Sequence, residues 1–173
     1  MHEKVSQLTL TPRVHELLGR RAAARWAADR PMPVLQVLDF LVDGVSLLDM
    51  IRARLPGFLL VSPLWVSSPL AVEFHATALL GEGPSDLHEG DPEGHVALFM
   101  CPHCAIGGCG VLSARLTRDD DRVVWTDVAQ GRPNLAGIGP FVFKADEYER
   151  ALRPLTLNRT AGMTGKTSVP GAP

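Results

Sequence analysis

Val96-Ala97-Leu98-Phe99-Met100-Cys101, Gly110-Val111-Leu112-Ser113-Ala114-Arg115-Leu116-Thr117-Arg118 and Arg122-Val123-Val124-Trp125-Thr126-Asp127-Val128 decide the fold class. Each is a short run that is apolar or alternates, rich in Val, Leu and aromatic residues, as strands are. Asp119-Asp120-Asp121 is a polar turn between the second and third runs. The three read as an antiparallel β-meander, with a cysteine-bearing loop joining the first two. Downstream, Gln130–Gly139 is a loop rich in Gly and Pro. Phe141-Val142-Phe143 is a short strand, and Asp146 to Leu152 gives a last turn or two of helix before Pro154.

Upstream the signals are mostly helical. Thr11 as N-cap and Pro12 in the first turn predict a helix over Pro12–Asp29, with Val14, Leu17, Leu18, Ala22 and Trp26 as its apolar stripe. Val34–Val42 is an apolar run suited to a buried strand, and Asp43-Gly44 is a turn. Ser46 with Asp49 resembles a capping box and opens a helix over Leu47–Leu55, stopped by Pro56-Gly57. Phe58–Val66 contains Pro63 and reads as an edge strand or an extended loop. Ser68-Pro69 opens another helix, which runs to about Leu80 with Gly81 as its stop. Glu82–Gly94 reads as an exposed acidic loop.

The expectation is an α+β fold, an antiparallel meander in the second half packed by three or four helices. One domain is expected over residues 1–155, with 156–173 a flexible C-terminal tail. The chain has 173 residues, a formal net charge of −2, 46% hydrophobic and 21% charged residues. The mean hydropathy is +0.08 and the sequence pI about 6.3. This composition excludes a disordered, collagenous or coiled-coil chain. The balance of charge offers no basic field for nucleic acid, and no apolar stretch is long enough for a membrane span. Residues 1–4 lead into a polar stretch, so no secretory signal is expected. Three cysteines, all between Cys101 and Cys109, do not form the spread framework of a secreted domain. The expected compartment is the cytoplasm.

Cys101-Pro102-His103-Cys104-Ala105-Ile106-Gly107-Gly108-Cys109-Gly110 carries the chemistry. Cys101-x-x-Cys104 at a strand end can turn both sulfurs to one side. The glycines let the chain fold back and bring Cys109 to the same point. Three converging thiolates make a tetrahedral zinc site short of one ligand, for which His103, His95 and His88 are the candidates. A thiol-redox pair prefers a helix N-terminus, and Ala105-Ile106-Gly107-Gly108 is a poor helix. Buried apolar cysteines in a tight turn are the plain alternative.

Phe99–Cys104, Gly108-Cys109-Gly110, Val123-Val124-Trp125, Ile138–Phe143 and Tyr148-Glu149 together resemble a group of actinobacterial hypothetical proteins. Its pattern runs through CPxCGDxGCG, a VVW strand and a GPFxFxxxxYE close. The resemblance spans about residues 95–153 and implies a pattern without a mechanism. Ala105-Ile106 stand where that group has Gly-Asp.

Other residues point more weakly to chemistry. His15 and His75 fall in expected helices with no acid or thiol partner, which suits surface or core roles. His88 and His95 flank Glu89, Asp91 and Glu93, either a metal centre or a solvated acidic loop. Trp125 reads as core and Asp127 as a strand-end cap. Trp65 either lines a ligand pocket or fills a corner of the core. Nucleophile-elbow, Walker, zincin and dinucleotide motifs are absent from the sequence. Three function classes follow. The first is a small zinc-binding protein with a ligand- or partner-binding role. The second is a tailoring or redox enzyme of specialised metabolism that uses the cysteine loop. The third is a metal-free ligand-binding or resistance protein.

Overall fold

Alternation of side chains starts earlier than the capping signals suggest. Leu8, Leu10, Pro12 and Val14 alternate with Thr9, Thr11, Arg13 and His15, a period of two. The computed structural model, which describes residues 4–16, 34–85, 93–102, 110–128 and 133–156, makes this stretch a strand. After β1 (Val5–Ser6) come β2 (Leu8–Glu16) and β3 (Val34–Val42), antiparallel from Leu8↔Val42 to Glu16↔Val34. The helix expected from Pro12 is therefore corrected over 12–16, and 17–29 lie outside the described residues. A full-length ladder outweighs a local cap, because each paired residue gains backbone hydrogen bonds and a cross-strand neighbour. Pro12 is tolerated since β2 is an edge strand of its sheet.

β4 (Val45–Ser46) turns back on β3 and completes a three-stranded sheet, β2-β3-β4. α1 (Leu47–Arg54) follows at once, and Ser46 Oγ accepts from the Asp49 amide at 3.2 Å as its capping pattern requires. α2 (Pro69–Leu79) begins after Ser68. Gly81, with φ +75, turns the chain out beyond it. β5 (His95–Met100), β6 (Val111–Arg118) and β7 (Arg122–Thr126) form the expected meander. β8 (Phe141–Lys144) extends it, and α3 (Ala145–Leu152) closes the described chain with a turn over Arg153–Leu155. The fold is α+β, with three α-helices among the described residues. The tail expected from residue 156 lies, from 157 onward, outside them.

The larger sheet has the order β1-β8-β7-β6-β5, with β1 parallel to β8 through Val5↔Val142. It is joined to the small sheet along both edges. On one side β1 runs almost directly into β2. On the other, the segment around Val61 bridges Met100 of β5, and Trp65 bridges Val37 of β3. The stretch carrying Pro63 is thus neither a regular strand nor a free loop, but a strap across two sheets. Leu64 O accepts from the Leu38 amide, and Gln36 O accepts from the Val66 amide, each at 2.9 Å.

Between the sheets lies an aromatic core. Phe40 of β3 meets Phe99 and Trp125 edge-to-face at 5.9 and 5.8 Å. Trp125 also meets Phe143 at 5.1 Å and Tyr148 at 5.9 Å. The Trp125 indole N–H donates to Tyr148 Oη at 3.1 Å, and Tyr148 donates to Leu79 O at 2.9 Å. That chain of bonds ties β7, α3 and the end of α2. Burial raises the pKa of Tyr148, which keeps the hydroxyl a donor. Tyr148→Phe would leave an indole N–H and a carbonyl buried without partners. It is expected to cost about 2–4 kcal/mol, read as a lower midpoint in urea unfolding with an unchanged slope. An unchanged midpoint would show that neither bond matters.

Candidate functional site

The cysteine loop begins where the β5–β6 hairpin ends. Met100 and Val111 are the last Cα partners, so Cys101 and Gly110 leave the ladder side by side. Gly110 has φ +132, a conformation that L side chains rarely adopt, and a Cβ there would meet Leu60 Cδ2 at 3.9 Å. Cys101 is a half-buried free thiol. Cys104, Cys109, His103 and His88 lie outside the described residues. Among the described residues, no three His, Cys, Asp or Glu side chains form a metal-holding group.

His95 is not brought to Cys101. It stands at the far end of β5 from Cys101, about 20 Å away at the rise of an extended strand. Zinc reaches its ligands at about 2.0–2.3 Å, so one ion does not join these two residues. The His95 ring is buried, with Nδ1 3.1 Å from Ser113 Oγ. His75 is buried in α2, a core position. Asp127 has left the strand with φ +52 and pairs with Arg115 at 3.3 Å, both partly exposed. Trp125 is core.

A second polar centre was not singled out in the sequence reading. Register places Arg13 opposite Val37, Thr11 opposite Asp39 and His15 opposite Leu35, all on one face of β2 and β3. The other face, with Phe40 and Val42, belongs to the main core. Arg13 donates to Asp39 Oδ2 at 2.9 Å, to Ser46 Oγ at 3.0 Å and to Asp49 Oδ1 at 2.7 Å. Ser46 donates to the same Asp39 Oδ2 at 2.7 Å. Asp39 is 1% exposed and His15 8%. Asp39 Oδ1, His15 Nε2 and Trp65 Nε1 are enclosed and have no hydrogen-bond partner among the described residues. The available signal was Asp39 itself. A carboxylate inside the run Val34–Val42 needs a cation within reach, and Arg13 is that cation.

The charges shape each other. The Arg13 hydrogen bond holds Asp49 below the usual carboxylate range, and Asp49, followed by Asp39, raises Arg13. Burial, then the Arg52 and Arg13 charges, pushes His15 below its ordinary 6.5, against the opposing pull of Asp39 and Asp49. In the folded state His15 therefore binds its proton less readily than in the unfolded chain. Its contribution to stability is present above pH 6.5 and is lost as pH falls from there through the folded value. The melting temperature is expected to fall as pH drops below 6.5, with a shallower fall in His15→Gln. Identical slopes for the two proteins would remove His15 from the account. Comparison of the chain with protein-family models, with curated proteins and with solved structures gives no match.

Proposed function

We propose that this is a zinc-binding protein of the cytoplasm, in which Cys101, Cys104 and Cys109 hold a structural ion and the domain they brace binds a small ligand or a partner. The observation that supports it is the hairpin register. Pairing of Met100 with Val111 confines all three cysteines to the short excursion between Cys101 and Gly110. Three thiolates that converge would favour a soft, tetrahedral metal. His103, inside the loop by sequence, would complete four ligands. The reading adds no membrane role: among the described residues no helix is long and apolar enough to cross a bilayer. A net charge of −2 gives no reason to add nucleic acid.

The test is metal content by mass spectrometry on protein purified without chelator or affinity metal, with a thiol count beside it. About one zinc per chain with protected thiols is the expected result. No metal and three freely titrating thiols would end the zinc reading. Zinc together with a reactive thiol or an open coordination position would move it to a tailoring or redox enzyme.

A further inference from the structure

We propose that the groove along α2 is the docking site for the C-terminal segment of this same chain, residues 157–173, which seats Met163 against Leu70 and Phe74 and brings Arg159 or Lys166 to Glu73. The groove has a volume of about 270 Å³ and is lined by Leu70, Glu73, Phe74, Thr77 and Pro84. Leu70, Glu73, Phe74 and Thr77 recur at the spacing of one helix face. The other side of α2, with Val72, Ala76 and Leu79, belongs to the core. Leu70 is 80% exposed and Phe74 39%. A helix that already buries one face and still turns two large apolar side chains outward presents a surface suited to a second contact.

The described chain leaves off beside this groove. Arg153 donates twice to Glu82, at 2.6 and 2.7 Å, and the Glu82 amide donates to Thr77 O at 3.0 Å. The turn Arg153–Leu155 packs on α2, and the amide of Thr156, the last described residue, donates to Arg153 O at 3.1 Å. From there residues 157–173 reach about 56 Å when extended, against about 16 Å for the length of α2. Met163 is unbranched, and such a side chain fills an irregular groove well. Arg159 stands four residues before it and Lys166 three after, and the segment contains no Asp or Glu. Glu73 is the one charged side chain among the residues lining the groove, so the charges match. A second copy meeting α2 across a two-fold axis would set Glu73 against Glu73, a like-charge contact. A free small molecule finds less room here than the roughly 300–1,000 Å³ of ligand sites.

Trypsin cuts after Arg and Lys, so docking should hide Arg159 and Lys166 from it. Release of residues 160–173 and 167–173 is followed by mass spectrometry in the full chain, in Phe74→Ala, in Glu73→Gln and in a synthetic peptide of residues 155–173. The full chain is expected to be cut at these two sites about ten-fold more slowly than the peptide, because cleavage tracks the population of the undocked form. Phe74→Ala is expected to recover most of the peptide's rate, and Glu73→Gln to raise the parent's rate about two-fold. Should Phe74→Ala fail to fold, Met163→Ser, which leaves the groove intact, is expected to be cut as fast as the peptide. Equal rates in the full chain and the peptide would overturn the proposal, as would a protected parent whose rate neither Phe74→Ala nor Met163→Ser changes. Protection that grows with protein concentration would place the segment on a second copy and overturn it too. Zinc content is expected to be the same in Met163→Ser and the parent, so failure here leaves the metal reading untouched.

Discussion

Trp125→Ala is expected to lower the melting temperature by about 10–20 °C. Trp125 is fully buried between the sheets and touches Phe40, Phe143 and Tyr148 edge-to-face. Removing a buried Trp side chain costs about 3–5 kcal/mol through lost transfer energy and the cavity left behind. Three aromatic pairs go with it, each worth about 0.5–1.5 kcal/mol beyond burial. Partial relaxation offsets some of this, so about 5 kcal/mol is the working figure, at roughly 2–4 °C per kcal/mol for a domain of this size. Val14→Ala is the control, since Val14 is 62% exposed and its loss should matter little. Differential scanning calorimetry reads both. A Trp125→Ala drop no larger than that of Val14→Ala would mean that the two sheets do not share one core.

Cys104→Ser carries the second large effect. Serine cannot supply the thiolate, so zinc should fall well below one per chain. An ion present at about a thousand times its dissociation constant adds about 4 kcal/mol to the folded state. Its loss should lower the melting temperature by about 8–16 °C. Chelator should lower the parent by the same amount and leave Cys104→Ser unmoved, because the variant has no metal left to lose. A variant that melts with the untreated parent, or one that chelator still destabilises, would contradict a structural ion held by Cys104.

The second half of the chain is legible because its signals agree. Alternation, the Asp119–Asp121 turn and the apolar run at 96–100 all point to the same meander. The structure adds β8 to it through Val124↔Val142. α1 and α2 are legible from Ser46 and Ser68-Pro69, where local chemistry and tertiary packing coincide. At Thr11-Pro12 the two compete. A cap and a first-turn proline read as a helix start, but the decisive partner, Val34–Val42, lies too far along the chain for a local pattern to show. The strap at Val61–Trp65 is hidden for a similar reason. Its bonds are isolated bridges to two different sheets, and they leave no periodicity. The polar centre is not singled out by the sequence reading, although Asp39 sits inside the apolar run 34–42; its cation becomes visible only once β2 is a strand.

The parallel pairing of Val5 with Val142 bears on how the chain is made. Synthesis delivers β1 long before β8, so the outermost strand of the large sheet waits for its neighbour until β5, β6 and β7 have left the ribosome. The β5–β6–β7 hairpins can form from nearby residues soon after they emerge, but the sheet stays unfinished on its β8 side until the N-terminus returns. Contacts between such distant residues make folding slow. In that interval β8 carries an unpaired edge. The newly made chain is therefore exposed to pairing with a neighbour until β1 and β8 meet.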